Sequence, residues 1–153
     1  MKAKSPGLLL LAIILNVITL IAVAAPPASK RLTKRDAPNI AAITKNIEFE
    51  FCKATISDDD QQQLNELATF LSENKYAIAL RGHADAIGSY VGNWKMSEAR
   101  AEAIKAYLVK RGINAERIVT TAFGSTIPIA NNDTSKGRRK NRRVEMRLKE
   151  IGG

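Results

Sequence analysis

Residues 82–113 read GHADAIGSYVGNWKMSEARAEAIKAYLVKRGI, and this stretch decides the fold. It opens on the end of an apolar run, YAIALRGH (76–83), whose Ile78 and Leu80 share one face of a strand. A glycine-bearing loop follows, and then a long helical pattern. Asn93 is a good N-cap, so a helix is expected from there to Arg111, with Gly112 as its stop. On that helix Met96, Arg100 and Ile104 recur at i, i+4 spacing, bordered by Tyr107 and Leu108. A guanidinium beside an apolar stripe needs a partner, because burying it unpaired is costly. Arg100 therefore snorkels to water, pairs with Glu98 or Glu102, or waits for a ligand carboxylate that its planar fork fits. Periodicity leaves the three open.

Working outward, Ile47, Phe49 and Phe51 alternate with polar residues as in a strand with one buried face. Ser57 can cap the next helix, with Asp58, Asp59 and Asp60 in its first turn and Leu64, Leu67, Ala68 and Leu71 as its apolar stripe. Beyond Gly112, Ile118 to Phe123 reads as a third strand, and Val144, Met146 and Leu148 alternate in a fourth. The order βαβαββ predicts an α+β two-layer sandwich, helices packed on one face of a small mixed sheet.

The chain's first part is different. Lys2 and Lys4 precede an apolar run from Leu8 to Ala25, which ends in Ala22-Val23-Ala24 and is followed by Pro26-Pro27. A charged start, apolar middle and small-residue end make a secretory signal peptide. The run is also long enough to stay as an anchor helix, although Lys30, Arg31, Lys34 and Arg35 beyond it weigh against that. Either form delivers the rest of the chain across the inner membrane. No cysteine directly follows the run, so a lipid anchor is not expected. The expected organisation is residues 1–25 as signal peptide or membrane anchor, 26–43 as a basic proline-containing linker, and 44–151 as the folded domain.

Composition narrows the function. Lys and Arg number 24 against 15 Asp and Glu, a formal charge of +9 that suits an anionic partner. With one cysteine, Cys52, and one histidine, His83, neither a disulfide, a thiolate zinc site nor a metalloenzyme centre is expected. The run GRRKNRR (137–143) reads as a solvated basic surface or a nucleic-acid patch, but it lacks interleaved aromatics and sits in an exported chain. No nucleic-acid partner is expected. Cys52 lacks a nucleophile motif and its predicted place at a strand end would not activate it, so a cysteine hydrolase is not expected either. Asp85, just past the second strand, is either a turn-forming aspartate or a binding group held at a rigid strand end.

Taken together, IEFEFCKATI (47–56), the stretch 82–113 and RIVTTAFGSTIPIANNDTSKGRRKNRRVEMRL (117–148) resemble the OmpA-like C-terminal domain family, shared with peptidoglycan-associated lipoproteins and flagellar stator proteins. GHxD, SxxRA, PIAxN and GRxxNRRVE occur in the family's order across essentially the whole folded unit. The resemblance implies non-covalent binding of peptidoglycan through the diaminopimelate of its peptide stem, linking the cell envelope to the wall. No acid–base, nucleophile or metal set is visible in the sequence, so no cofactor, no metal and no catalysis are expected. Asp85 and Arg100 match the family's two principal ligand groups. Asn93 matches a family asparagine that shapes the pocket, and Arg143 is a further candidate contact to the ligand or the sugar strand. Two positions depart from the family. Cys52 stands where relatives often have Asp or Asn, and Ala84 replaces a common threonine. The expected location is the periplasm, at the outer membrane or wall, or the inner membrane if the N-terminal segment is retained. In the second case the domain would mainly engage another envelope protein.

Overall fold

A computed structural model describes residues 39–152. The predicted export segment and residues 26–38 of the predicted linker lie outside them. Four strands form one mixed sheet: β1 (Ile47–Glu48), β2 (Tyr76–Gly82), β3 (Ile118–Ala122) and β4 (Arg143–Glu150). Their order across the sheet is β1-β4-β2-β3. β4 runs antiparallel to both neighbours, pairing Ile78 with Leu148 and Gly82 with Val144, whereas β2 and β3 are parallel. The parallel pair is joined by helix α3 (Tyr90–Lys110), as a parallel connection requires.

Helix α2 (Asp58–Glu73) starts where the sequence places it, and the Ser57 hydroxyl accepts from the Asp60 N–H. Its predicted stripe of Leu64, Leu67, Ala68 and Leu71 is buried, together with Phe70. This face meets Ile78, Leu80, Val144 and Met146 from the sheet and Ala101, Ile104 and Leu108 from α3 in one core. Each fully buried Leu or Ile here contributes about 1.5–3 kcal/mol of transfer free energy. The two-layer α+β reading is therefore correct.

Four local expectations are corrected. Ile40–Ile43, read as the end of the linker, form a helical turn, α1, and Ile43 joins the core. The first strand is shorter than its alternation suggests. Only Ile47 and Glu48 pair as strand, opposite Val144 and Arg143, with one further backbone bond from Phe49 N–H to Arg142 O before the chain turns away. Phe49 still packs into the core, but Phe51 is exposed and Cys52 turns the chain at a positive φ of 55°. Helix α3 begins three residues before Asn93, with the Ser89 hydroxyl accepting from the Gly92 N–H. The basic run contains a short helix, α4 (Ser135–Asn141), capped by Thr134.

One close approach sets the relation of α3 to the sheet. A Cβ on Gly82 would lie 1.9 Å from the Ser97 carbonyl oxygen, so only glycine lets the helix lie against the end of β2. The Ser97 hydroxyl donates to Trp94 O and accepts from Gly124 N–H, tying α3 to the turn after β3.

Candidate functional site

At the end of β2, between the first turns of α3 and the β1–α2 loop, lies a cavity of about 260 Å³. Asp85, Asn93, Met96, Arg100 and Arg142 line it, and Phe51, Cys52 and Ile87 form part of its wall. Helix α3, the end of α4 and two loops thus converge on one place.

Asp85 is buried, and each carboxylate oxygen has one partner. Oδ1 accepts from the Ile87 N–H at 2.9 Å, the local turn bond expected of a loop aspartate. Oδ2 accepts from Arg142 Nη1 at 2.8 Å in a buried ion pair. A carboxylate offers about four lone-pair sites, so acceptor capacity remains for a ligand.

Arg100 is fully buried and takes none of the protein partners proposed from sequence. Its Nε donates to Lys53 O, Nη1 to His83 O and Nη2 to Glu50 O, at 3.0, 3.1 and 3.2 Å. These bonds hold the β1–α2 loop against the end of β2. Three of the five guanidinium donors are thereby used and two are uncommitted. The plane also sits over the Phe49 ring, 5.5 Å from its centroid. Burial lowers the Arg100 pKa to about 10, the nearby Arg142 charge adds to the shift, and Asp85 opposes it. It remains protonated at neutral pH.

Asn93 does not cap α3 but sits in its first turn, 8% exposed, facing the cavity. Its side-chain amide has no hydrogen-bond partner among the described residues. The amide is not among the fully buried unpaired polar atoms, so it reaches solvent through the cavity and is available to a ligand there.

Of the two adjacent arginines, Arg142 borders the cavity and Arg143, the one expected to contact the ligand, does not. Arg142 ends α4. Its N–H bonds to Arg138 O, its Nε donates to Phe49 O, and its tip reaches Asp85. Arg143 opens β4 and is buried away from the cavity, donating from Nε to Glu145 Oε1 at 3.1 Å and, more weakly, from Nη1 and Nη2 to Ile127 O. Arg138, Arg139 and Asn141 of the basic run are also committed, whereas Lys140 is exposed. Arg138 donates to Asn132 O and Asp133 O, and Arg139 bridges Glu48 and Glu50. The buried Asn141 binds the 129–132 segment through four hydrogen bonds. Asn132 Oδ1 in turn accepts from the N–H of Ala86, next to Asp85. Most of the run is scaffolding, not an open cationic patch.

His83 and Cys52 do not share a site. Cys52 is exposed at the cavity, whereas the His83 ring stacks on Phe123 with centroids 5.2 Å apart. Neither ring nitrogen has a hydrogen-bond partner. Burial lowers the His83 pKa to about 4, with the Arg143 charge next in importance. Glu145, 3.6 Å away, opposes that shift. Burial raises Glu145, but the bond to Arg143 and its charge outweigh this and hold it below the ordinary carboxylate value. No cluster of three or more His, Cys, Asp or Glu side chains with metal-site geometry occurs among the described residues.

The OmpA family model matches residues 48–142. The chain belongs to the OmpA family. The match contains every cavity residue from Phe51 to Arg142. Outer membrane protein A of Bordetella avium is 37% identical over 129 residues, covering 80% of this chain and 64% of that protein. The peptidoglycan-binding protein ArfA of Mycobacterium bovis is 36% identical over 122 residues, 79% of this chain and 37% of that protein. The chain therefore spans under two thirds of either relative. The crystal structure of the peptidoglycan-associated lipoprotein from Burkholderia pseudomallei shares the fold, with a TM-score of 0.66 at 23% identity, covering 68% of this chain and 89% of that one.

Within this OmpA-family unit, Asp85, Asn93 and Arg100 come together and Arg143 does not. Sequence reasoning passed over Arg142, because its reach to Asp85 depends on where α4 ends. The family's PIAxN and NRRVE motifs carried a signal for it, since Asn132 and Asn141 are the residues that fix α4 beside the Asp85 loop.

Proposed function

We propose that the cavity binds peptidoglycan non-covalently, gripping the diaminopimelate of the peptide stem and tying the cell envelope to the wall. The observation that carries this reading is the buried trio of Asp85, Arg142 and Arg100, open on one side to the cavity. One carboxylate and two guanidinium groups leave a net charge of +1 and two unused Arg100 donors. The free end of diaminopimelate carries both an ammonium and a carboxylate. Its carboxylate takes the Arg100 donors, and its ammonium donates to the remaining lone pairs of Asp85. Arg142 orients Asp85 through their buried ion pair. The Asn93 amide supplies a donor and an acceptor for the same group or the adjoining peptide. Asp85, Arg142 and Arg100 are already held by the fold, so little ordering cost falls on binding.

That the relative from Mycobacterium bovis is described as peptidoglycan-binding supports the same reading. Location at the periplasmic side of the envelope goes with it, and no covalent step is required.

The test is a calorimetric titration of the protein with a soluble diaminopimelate-containing muropeptide. Saturable binding is expected, weakened at least tenfold in Asp85→Asn, a loss of about 1.4 kcal/mol or more. Equal affinity of wild type and variant would refute the assignment.

A further inference from the structure

The wall of the cavity carries a thiol that the proposed function does not use. Cys52 lines the cavity and is exposed. The Arg100 guanidinium holds the backbone on both sides of it, through Glu50 O at 3.2 Å and Lys53 O at 3.0 Å. Cys52 is thus fixed beside the group whose free donors face a ligand carboxylate. The fold gives no reason for a cysteine here. The side chain lies outside the core, and a φ of 55° suits glycine or asparagine better. As the sole cysteine of the chain it has no intrachain disulfide partner, and an unpaired cysteine in an exported protein is a reactive thiol or pairs with another molecule. Asn93 marks the same cavity as a ligand site independently. It is 8% exposed, it lines the cavity, and its amide has no hydrogen-bond partner among the described residues.

We infer that Cys52 is a thiol–disulfide exchange site for a small disulfide with an α-amino-acid end, namely cystine, and that the adduct closes the cavity to peptidoglycan. The inference rests on the reading of the cavity as the stem-peptide site. The free end of diaminopimelate bears an ammonium and a carboxylate on one carbon. Each half of cystine bears the same pair, with its sulfur one methylene away. Asp85 and the free Arg100 donors that hold the first ligand therefore hold the second, and they bring its disulfide to the wall that carries Cys52. Holding the two sulfurs together makes the exchange effectively unimolecular.

The Cys52 thiol gives its proton to water, and the thiolate attacks one cystine sulfur. A bond forms between Cys52 Sγ and that sulfur as the cystine S–S bond breaks. The electron pair leaves on the other sulfur, which is released as cysteine and takes up a proton. Cys52 is oxidised and half of the cystine is reduced, so no further oxidant is required. The half-cystine left on Cys52 keeps its ammonium and carboxylate in the clamp and shuts diaminopimelate out. A second thiol reverses the exchange. The clamp also selects against a second copy of the chain, whose Cys52 carries no free ammonium and carboxylate.

The full chain is reacted in turn with cystine, with cystamine (ammonium only), with dithiodipropionate (carboxylate only) and with hydroxyethyl disulfide (neither). Intact mass follows the adduct, and calorimetry follows binding of the diaminopimelate muropeptide before and after. Cystine is expected to react roughly tenfold or more faster than the other three. In Asp85→Asn the cystine rate should fall to that of hydroxyethyl disulfide on the same variant. The cystine adduct should bind muropeptide roughly tenfold or more weakly, and dithiothreitol should restore binding. Cys52→Ser should form no adduct, and its muropeptide affinity should not respond to cystine. Muropeptide binding by the untreated protein, with all four disulfides reacting alike, would overturn the inference and leave the wall reading standing. An adduct that binds muropeptide as tightly as the free thiol, or a disulfide-linked dimer as the main product, would overturn it too. Untreated protein that fails to bind muropeptide would sink the wall reading itself, and the blocking role with it.

Discussion

Asp85→Asn removes one charge from the cavity and changes almost nothing in shape. The asparagine oxygen still accepts from the Ile87 N–H, so the loop turn is retained. What is lost is the charge opposite Arg142, 2.8 Å away with both side chains buried. At an effective dielectric of about 20, the gross attraction at that distance is about 6 kcal/mol. Desolvation offsets much of it, and breaking one side of a buried pair costs about 3–5 kcal/mol net. Arg142 keeps its bond to Phe49 O and borders an open cavity, which places the cost near 3 kcal/mol. For a unit of this size that is a fall in Tm of roughly 12 °C. Arg100 also loses the neighbour that holds its pKa up, so two cations are left facing each other. Arg142→Gln should cost a similar amount. The double variant should recover much of the loss, giving a coupling of about 2 kcal/mol in thermal and urea melts. Single variants melting within about 2 °C of wild type, or strictly additive losses, would refute an energetically meaningful Asp85–Arg142 pair.

Cys52→Asn should raise stability by about 1 kcal/mol, read as a higher urea midpoint, because asparagine tolerates the left-handed backbone that Cys52 adopts. Asn141→Ala should cost about 3 kcal/mol, since four hydrogen bonds to the 129–132 segment go at once. Hydrogen exchange at Ala86 should accelerate with it. Acidification should destabilise the fold through His83, whose folded pKa of about 4 lies below the unfolded 6.5. The unfolded chain binds the proton more readily, so this contribution is complete above pH 6.5 and is lost as pH falls towards 4, by about 3 kcal/mol. His83→Phe should flatten melts across that window, and an unchanged acid slope would show that other groups set it.

Features fixed by neighbours in the chain were legible from the sequence. Ser57 and the three aspartates announce α2, and Val144, Met146 and Leu148 announce β4 with their buried face correctly assigned. Features fixed by distant partners were not. The alternation of Ile47, Phe49 and Phe51 reports which way side chains point, but strand pairing needs a partner, and β4 ends its pairing at Arg143. Ser89 and Asn93 are both competent caps, and only the packing of α3 against Gly82 favours the earlier start. The site shows the same division. Asp85 and Arg100 stand out because a loop aspartate and an arginine beside an apolar stripe both raise the question of a partner. Arg142 does not, since two adjacent arginines look alike until the last turn of α4 sends one to Asp85 and the other under Ile127. The carbonyl cage around Arg100 is built from backbone atoms and leaves no side-chain signature to read.

The central claim is that the cavity recognises an ammonium and a carboxylate on the same ligand end. Sacculi whose third stem residue is diaminopimelate differ from lysine-containing sacculi by that one carboxylate. Co-sedimentation of the full chain with the two types is the most direct test. The account predicts that the protein pellets with diaminopimelate sacculi about thirty- to hundredfold more tightly, the equivalent of about 2–3 kcal/mol for the charged hydrogen bonds to Arg100. Equal retention on both, or retention that survives Asp85→Asn on the diaminopimelate type, would contradict it.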